Sequence, residues 1–178
     1  DVNKMTNPIG FYFHKFVNIL LSIYVEIFRG TPMMVQSVII FYGLKQYFDI
    51  DLSTMFAAIL IVSINTGAYL SEVVRGGISA VDSGQFEACK AIGLTNWQAM
   101  TNIILPQTIK TILPSLGNEF VINIKDTSVL NVISVTELFF MSKSVAGSTY
   151  QYFPTYLITA VIYLVLTFTI TRLLLVFE

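Results

Sequence analysis

Long apolar blocks alternate with shorter polar segments along this chain, a pattern typical of helices that cross a bilayer several times. We predict spanning helices at residues 33–48, 54–74, 107–124 and 153–171, the first of them at the short end of what a bilayer requires. A tight acidic turn at 49–53 separates the first two spans. Pro114 and Gly117 are expected to interrupt the third span, which is tolerated only where protein or water satisfies the freed backbone groups.

Two further apolar stretches contain too many polar residues for a simple span. Residues 9–28 include His14, Lys15 and Asn18, which predicts an amphipathic helix lying at the membrane interface. Pro32 then suits the first turn of a new helix. Residues 125–144 mix charges with apolar pairs, and we expect a short re-entrant or outer-leaflet helix there, followed by an outer loop at 146–152. The polar residues 1–8 are expected to form a mobile cytoplasmic stub.

The longest interval that could not cross a bilayer runs from residue 82 to residue 106. Asp82 can accept the first free amide hydrogens of one short helix, and Gly93 can end that helix in a left-handed conformation. Thr95 can open a second helix with Gln98 three residues later, which is the capping-box spacing. Pro106 is expected to end the second helix. The sequence therefore predicts a water-facing helix–turn–helix.

Composition supports an integral membrane protein. Hydrophobic residues make up 54% of the chain and charged residues 12%, about half the charged fraction of a soluble domain. A net charge of -1 gives no basic stripe for nucleic acid. One cysteine, Cys89, cannot form an internal disulfide or a metal cluster. Basic residues in and around the polar interval favour a cytoplasmic location for it by the positive-inside rule: Arg75, Lys90 and Lys110.

The spacing of residues in the polar interval resembles the EAA loop of ABC-importer permeases. Glu87, Ala88 and Cys89 are followed after three residues by Gly93, and nine residues later by Ile103-x-Leu105-Pro106. Cys89 departs from the second alanine usual in the family, but it is also small and apolar, so close packing should survive. Other segments are similar to the polar-amino-acid branch of these permeases, which import histidine, glutamine, glutamate or arginine: 28–32, 35–36, 65–72, 75–77, 117–120, 125–128 and 137–138.

The resemblance extends over about residues 24–174 and implies an all-α membrane protein with about four to five spanning helices. Residues 1–178 would form one ABC transmembrane domain with a cytoplasmic coupling loop at 80–106, lacking one helix upstream. The chain would lie in the inner (plasma) membrane of a bacterial cell, contacting lipid. Its expected partners are two ATP-hydrolysing subunits, a second permease subunit (identical or a sister) and an extracytoplasmic amino-acid-binding protein.

No nucleotide, metal or catalytic site is expected in the chain. The sequence G-x-x-x-x-G-K-[ST] is absent, so ATP and Mg²⁺ would be bound by the partner ATPase subunits. The residues that the resemblance assigns to ATPase coupling lie in the polar interval: Glu87, Ala88, Cys89, Gly93, Ile103, Leu105 and Pro106. Within it, Ala88 and Cys89 would offer a small face for close approach of the partner.

Ionisable and polar residues inside apolar blocks are candidates for the substrate pathway, since they are costly in a membrane. A zwitterionic amino acid needs both a carboxylate acceptor and an ammonium donor in its site. The candidates are Asn65, Tyr69, Asn118, Glu119, Lys125, Asp126 and Ser128. Contacts between helices, or ion pairing within the cluster, are the alternatives. Glu72 and Arg75 are either an i,i+3 helix pair or part of an inner gate, and Glu137 is a candidate contact for the external binding protein.

Other functions remain open at this point. The chain could be an ABC permease for another small solute, or a self-sufficient secondary transporter or channel, although such transporters usually show internal repeats. An intramembrane enzyme would be expected to carry a motif such as H-E-x-x-H, which is absent. His14 is the only histidine.

Overall fold

The computed structural model describes residues 8–177, and this part of the chain is helical with short connections. The elements in chain order are α1 (Pro8–Gly30), α2 (Met33–Phe48), α3 (Thr54–Ser79), α4 (Ser83–Ala91), α5 (Asn96–Ala99), a π-helical turn (Met100–Ile104), α6 (Leu105–Asp126), a 3-10 helix (Thr127–Ile133), α7 (Leu138–Thr149) and α8 (Tyr152–Phe177). The stub expected at residues 1–8 lies almost wholly outside the described residues.

Three helices of the described part are long and apolar enough to cross a membrane: α1, α3 and α8. The continuous helical stretch Asn96–Ile133 and helix α7 form a fourth candidate together, with a bend of 55° between them. The predicted all-α, multi-span architecture is confirmed. The bend also fits the expectation of a re-entrant segment after residue 125.

The N-terminal helices differ from expectation. Helix α1, placed at the interface by the sequence analysis, has the length and hydropathy of a span. Its polar residues are concentrated on a narrow strip, where the Asn18 amide lies 3.1 Å from Nδ1 of His14. Helix α2, expected to span, has 16 residues, about 24 Å at 1.5 Å per residue, shorter than a hydrocarbon core of about 30 Å.

A small core holds α2, α3 and the 3-10 helix together. Ala57, Ala58 and Ile61 of α3 are buried with Leu130 and Ile133 of the 3-10 helix, and the two alanines allow close approach. The turn predicted at 49–53 is confirmed: α2 ends at a left-handed residue 49, and the hydroxyl of residue 53 caps α3.

Helices α3 and α6 cross closely at Gly77. A Cβ on this glycine would collide with Cγ2 of Ile112 and lie 3.1 Å from Cγ2 of Thr108. Thr108 and Ile112 are themselves buried, and the Thr108 hydroxyl donates to the backbone carbonyl of Ile104 at 2.9 Å. The missing side chain at Gly77 therefore sets the distance between the two helices.

We call residues 80–106 the elbow. Its first half has the predicted local geometry: the Asp82 carboxylate accepts the Gly84 amide hydrogen at 2.6 Å, and Gly93 has a φ of 82°. Thr95 and Gln98 form the reciprocal capping box at the start of α5. These three predictions are confirmed.

The second half of the elbow differs from the prediction made for Pro106. Pro106 does not end the second helix, because α5 continues through the π-helical turn into α6, and Pro106 lies in the first turn of α6. The Leu105 amide donates to the Met100 carbonyl, so Pro106 occupies the position where π pairing changes to α pairing and its missing donor is tolerated. Pro114 and Gly117 likewise lie inside α6 without interrupting it.

The C-terminal helices pack as a pair. Helix α7 continues to Thr149, and α8 begins at Tyr152, so the outer loop expected at 146–152 is reduced to a two-residue link at 150–151. Buried hydroxyls join the two helices, with Thr159 donating to Ser142 at 2.6 Å.

Candidate functional site

A cavity of about 330 Å³ lies between α3, α6 and the break that separates α1 from α2. Its lining is rich in polar side chains, and they come from elements far apart in sequence: Thr31, Asn65, Tyr69, Glu119, Asn123 and Asp126. It is therefore a chamber assembled by the tertiary fold rather than a feature of one helix.

One wall of the cavity is a stripe along α6. Glu119, Asn123 and Asp126 are spaced four and three residues apart, so they share one face of the helix. The Asn123 side-chain oxygen accepts a hydrogen bond from the Thr66 hydroxyl of α3 at 3.1 Å. This bond holds the polar faces of α3 and α6 together and places two carboxyl groups on the same side of the chamber.

The opposite wall is the α1–α2 break, held by a buried amide network. The Gln36 side-chain nitrogen donates to the carbonyl oxygens of Phe28 at 3.0 Å and Thr31 at 2.8 Å, and contacts the Thr31 hydroxyl at 2.9 Å. The Asn65 amide donates to the Gln36 side-chain oxygen at 3.0 Å and to the Phe28 carbonyl at 3.2 Å. Asn65 thus both lines the cavity and joins helices.

The predicted pathway residues separate into two groups. Asn65, Tyr69, Glu119 and Asp126 line the cavity. The remaining three lie outside it. Asn118 faces a smaller space between α6 and α8, and Lys125 is exposed on α6. Ser128 is half-buried in the 3-10 helix, where its carbonyl accepts the Asn131 amide at 2.6 Å.

Sequence reasoning missed Gln36 and Asn123. Gln36 is an amide within an apolar block four residues after a proline, which is a usable signal for a buried polar contact. Asn123 could have been found by extending the helical period four residues beyond Glu119. Neither signal specifies which helix supplies the partner.

The Glu72–Arg75 pair belongs to a larger ionic cluster. Arg75 makes two contacts with the Glu72 carboxylate through Nε and one of 2.5 Å through its terminal nitrogen. Arg29 of α1 lies 3.6 Å from the same carboxylate, and its guanidinium lies 5.7 Å from the centroid of the Tyr69 ring. The cluster therefore ties the end of α1 to α3, beside the cavity residue Tyr69, which an isolated helix pair would not do.

One of the elbow residues assigned to coupling is buried. Cys89 is 4% exposed and points inward, so the expectation that it offers a small face to a partner is wrong. It sits in the elbow, where α4 packs on α5 and the π-helical turn. Glu87 and Ala88 are exposed, as expected. Two large apolar side chains of the elbow, Ile92 and Trp97, are each 76% exposed as well. Of the other residues assigned to coupling, Gly93 and Pro106 are exposed, and Ile103 and Leu105 are half-buried.

The expectation that Glu137 meets an external binding protein does not agree with its contacts. Its carboxylate caps α7, accepting the amide hydrogens of Phe139 at 2.7 Å and Phe140 at 2.6 Å. It also accepts the Tyr163 hydroxyl of α8 at 3.1 Å. Both oxygens are thus engaged within the chain.

Comparisons with known proteins agree with this architecture. Residues 7–178 match the family described as binding-protein-dependent transport system inner membrane component. The probable amino-acid permease protein YxeN of Bacillus subtilis is 41% identical over 150 residues, covering 83% of this chain and 67% of that protein. The putative glutamine transport system permease protein GlnP of Rickettsia conorii is 38% identical over 158 residues, covering 89% and 72%.

A more distant relative and a solved structure give the same result. The arginine transport system permease protein ArtQ of Bacillus subtilis is 34% identical over 152 residues, covering 85% of this chain and 69% of that protein. A chain in the crystal structure of an amino acid ABC transporter with histidines has a TM-score of 0.87 and 41% identity, covering 92% of this chain and 76% of that chain. The chain therefore belongs to the inner membrane components of binding-protein-dependent transport systems, as a multi-pass permease subunit of an ABC importer and not its ATPase.

Proposed function

We propose that this chain is the permease subunit of an ABC importer for polar amino acids and that the cavity between α3, α6 and the α1–α2 break is part of the substrate path. The observation that carries the proposal is the cavity's lining, which combines two carboxyl groups with hydroxyl and amide donors. Its volume of about 330 Å³ is at the lower end of the range of small-molecule sites.

The chemistry of the lining fits a small zwitterion. Glu119 and Asp126 are acceptors for an ammonium group, and charge-assisted bonds of this type are the stronger class of hydrogen bond. The Tyr69 hydroxyl and the Asn123 amide nitrogen are donors for a carboxylate. A purely apolar solute would cover these groups without giving them partners, and each polar group desolvated in this way would lower affinity.

The elbow supplies the connection to the energy source. Because α5, the π-helical turn and α6 are continuous, a displacement of the elbow is carried by one helix to Glu119 and Asp126. Ile92 and Trp97 of the elbow are large apolar side chains that are each 76% exposed, and aromatic residues are enriched at protein–protein interfaces. We propose that the ATPase subunit docks here.

The complete importer would contain further chains. Residues 1–178 form one permease domain that pairs with a second permease subunit, two ATPase subunits bind ATP and Mg²⁺, and an extracytoplasmic binding protein delivers the amino acid. In this assembly the chain contributes the substrate path and the elbow that transmits movement from the ATPase subunit. ATP is hydrolysed in that partner subunit.

The experiment is ATP-driven uptake of radiolabelled amino acids by the whole complex in proteoliposomes. Glu119→Gln should lower kcat/KM by about ten-fold or more, because a hydrogen bond to a charged group contributes roughly 1.5–3 kcal/mol. Glu26→Gln, which removes an acid from α1 outside this cavity, is the matched control and should transport normally. Equal kcat/KM for both variants and the wild type would refute the assignment of the cavity.

A further inference from the structure

The break between α1 and α2 leaves backbone carbonyls that the helices themselves cannot satisfy. Helix α1 ends at Gly30, α2 begins at Met33, and Pro32 precedes α2 without a side-chain cap. The last carbonyls of any helix lack intrahelical donors. Here the Thr31 hydroxyl donates to the Ile27 carbonyl at 2.8 Å, and the carbonyls of Phe28 and Thr31 need donors from elsewhere.

Gln36 supplies those donors from the first turns of α2. Its side-chain nitrogen reaches both carbonyls and the Thr31 hydroxyl at 2.8–3.0 Å, and its oxygen accepts the Asn65 amide of α3 at 3.0 Å. The side chain is 5% exposed. One amide therefore joins the end of α1, the start of α2 and the middle of α3.

Gln36 lies behind the cavity rather than in it. Thr31, Pro32, Met33 and Asn65 form this wall of the cavity, and Gln36 itself does not line it. It bonds directly to two of these four residues. Any influence of Gln36 on a bound solute must consequently act through the position of the wall.

We propose that Gln36 is a positioning residue for transport: its amide fixes the α1–α2 break against Asn65 and so sets the shape of the substrate cavity. The inference rests on the proposed function of that cavity. Without the amide, the carbonyls of the break must find water, the break shifts away from α3, and Asn65 loses its acceptor. The substrate is then bound less tightly, although no group that touches it has been removed.

Three substitutions separate this role from ordinary helix packing. Gln36→Met keeps the size of the side chain and removes the amide. Gln36→Glu keeps an acceptor for Asn65 but places an acceptor-only group against the carbonyls of the break. Ser37→Ala is the matched control, because Ser37 is equally buried on the same helix and its hydroxyl donates only within α2, to the Met33 carbonyl at 2.7 Å.

The test measures KM and kcat for ATP-driven amino-acid uptake by the reconstituted complex. Gln36→Met should raise KM by roughly five-fold or more, since an unsatisfied buried group costs at least about 1 kcal/mol, with kcat near the wild-type value. Gln36→Glu should raise KM at least as much, and Ser37→Ala should leave it unchanged. An unchanged KM in Gln36→Met, or an equal rise in Ser37→Ala, overturns the proposal.

A second variant covers the case in which Gln36→Met fails to assemble. Gln36→Asn keeps the amide but shortens the side chain by one methylene, so its nitrogen no longer reaches both the Phe28 and the Thr31 carbonyls, and KM should rise in the same direction; a wild-type KM here also overturns the proposal. Failure of the wild-type complex to transport any amino acid would instead refute the proposed function. The two failures are therefore distinguishable.

Discussion

The crossing of α3 and α6 gives a quantitative test of how the elbow is joined to the rest of the fold. Gly76 and Gly77 are adjacent in α3, but a Cβ on Gly76 would meet nothing within 4 Å, whereas a Cβ on Gly77 would collide with Ile112. Alanine at the two positions therefore makes the same chemical change in two different environments. Gly76→Ala is the control for Gly77→Ala.

The expected magnitude follows from two opposing terms. Replacing a helical glycine by alanine stabilises a helix by about 1 kcal/mol, and both variants gain this term. Gly77→Ala also overpacks the crossing, which costs about 1–3 kcal/mol. The propensity term cancels in the comparison, so Gly77→Ala should be less stable than Gly76→Ala by about 1–3 kcal/mol. The displaced atoms belong to α6, which also carries the cavity residues Glu119 and Asp126. The rate of amino-acid uptake should therefore fall together with the stability of the protein.

Stability can be measured by SDS titration of each purified variant, with circular dichroism as the readout. Ile112→Ala removes the atom with which the new methyl group collides. This substitution should therefore lower the free energy of unfolding less in the Gly77→Ala variant than in the wild type. Equal unfolding free energies for the two glycine variants, or additive effects with Ile112→Ala, would refute this account of the crossing.

Three further substitutions test other parts of the structure. Thr95→Val should destabilise the elbow by about 1 kcal/mol through loss of the capping box, measured as faster amide hydrogen exchange in this segment; unchanged exchange would contradict it. Trp97→Ala should weaken copurification of the ATPase subunit, whereas Tyr47→Ala, which removes an equally exposed aromatic side chain at the C-terminal end of α2, should not. Glu137→Ala removes the cap of α7 and the acceptor of Tyr163 and should lower thermal stability more than Tyr163→Phe; the reverse order would be evidence against the capping role.

The sequence predicted the parts of the elbow that depend on near neighbours. The carboxylate of Asp82, the left-handed Gly93 and the Thr95–Gln98 pair each act within three or four residues. Pro106 was misinterpreted because its effect depends on the π-helical turn before it. That turn contains the buried residue Ile104, and α6 beyond it packs on α3.

The cavity was predicted only in part, for a related reason. Ionisable residues are conspicuous in apolar blocks, so Glu119 and Asp126 could be selected from the sequence. Asn118 was selected with them as a sequence neighbour, but one residue along a helix is a rotation of about 100°, and it faces α8 instead. Gln36 and Asn123 were missed because their partners, Asn65 and Thr66, come from α3, and the sequence does not specify which helices are in contact.

The most direct test of the central claim compares uptake by two kinds of vesicle. One contains this permease alone, and the other contains the permease with its ATPase subunits and binding protein. The account predicts amino-acid accumulation only in the complete vesicles and only with ATP and Mg²⁺, with no uptake by the permease alone. Accumulation by the permease alone, or uptake by the complete vesicles without ATP, would contradict it.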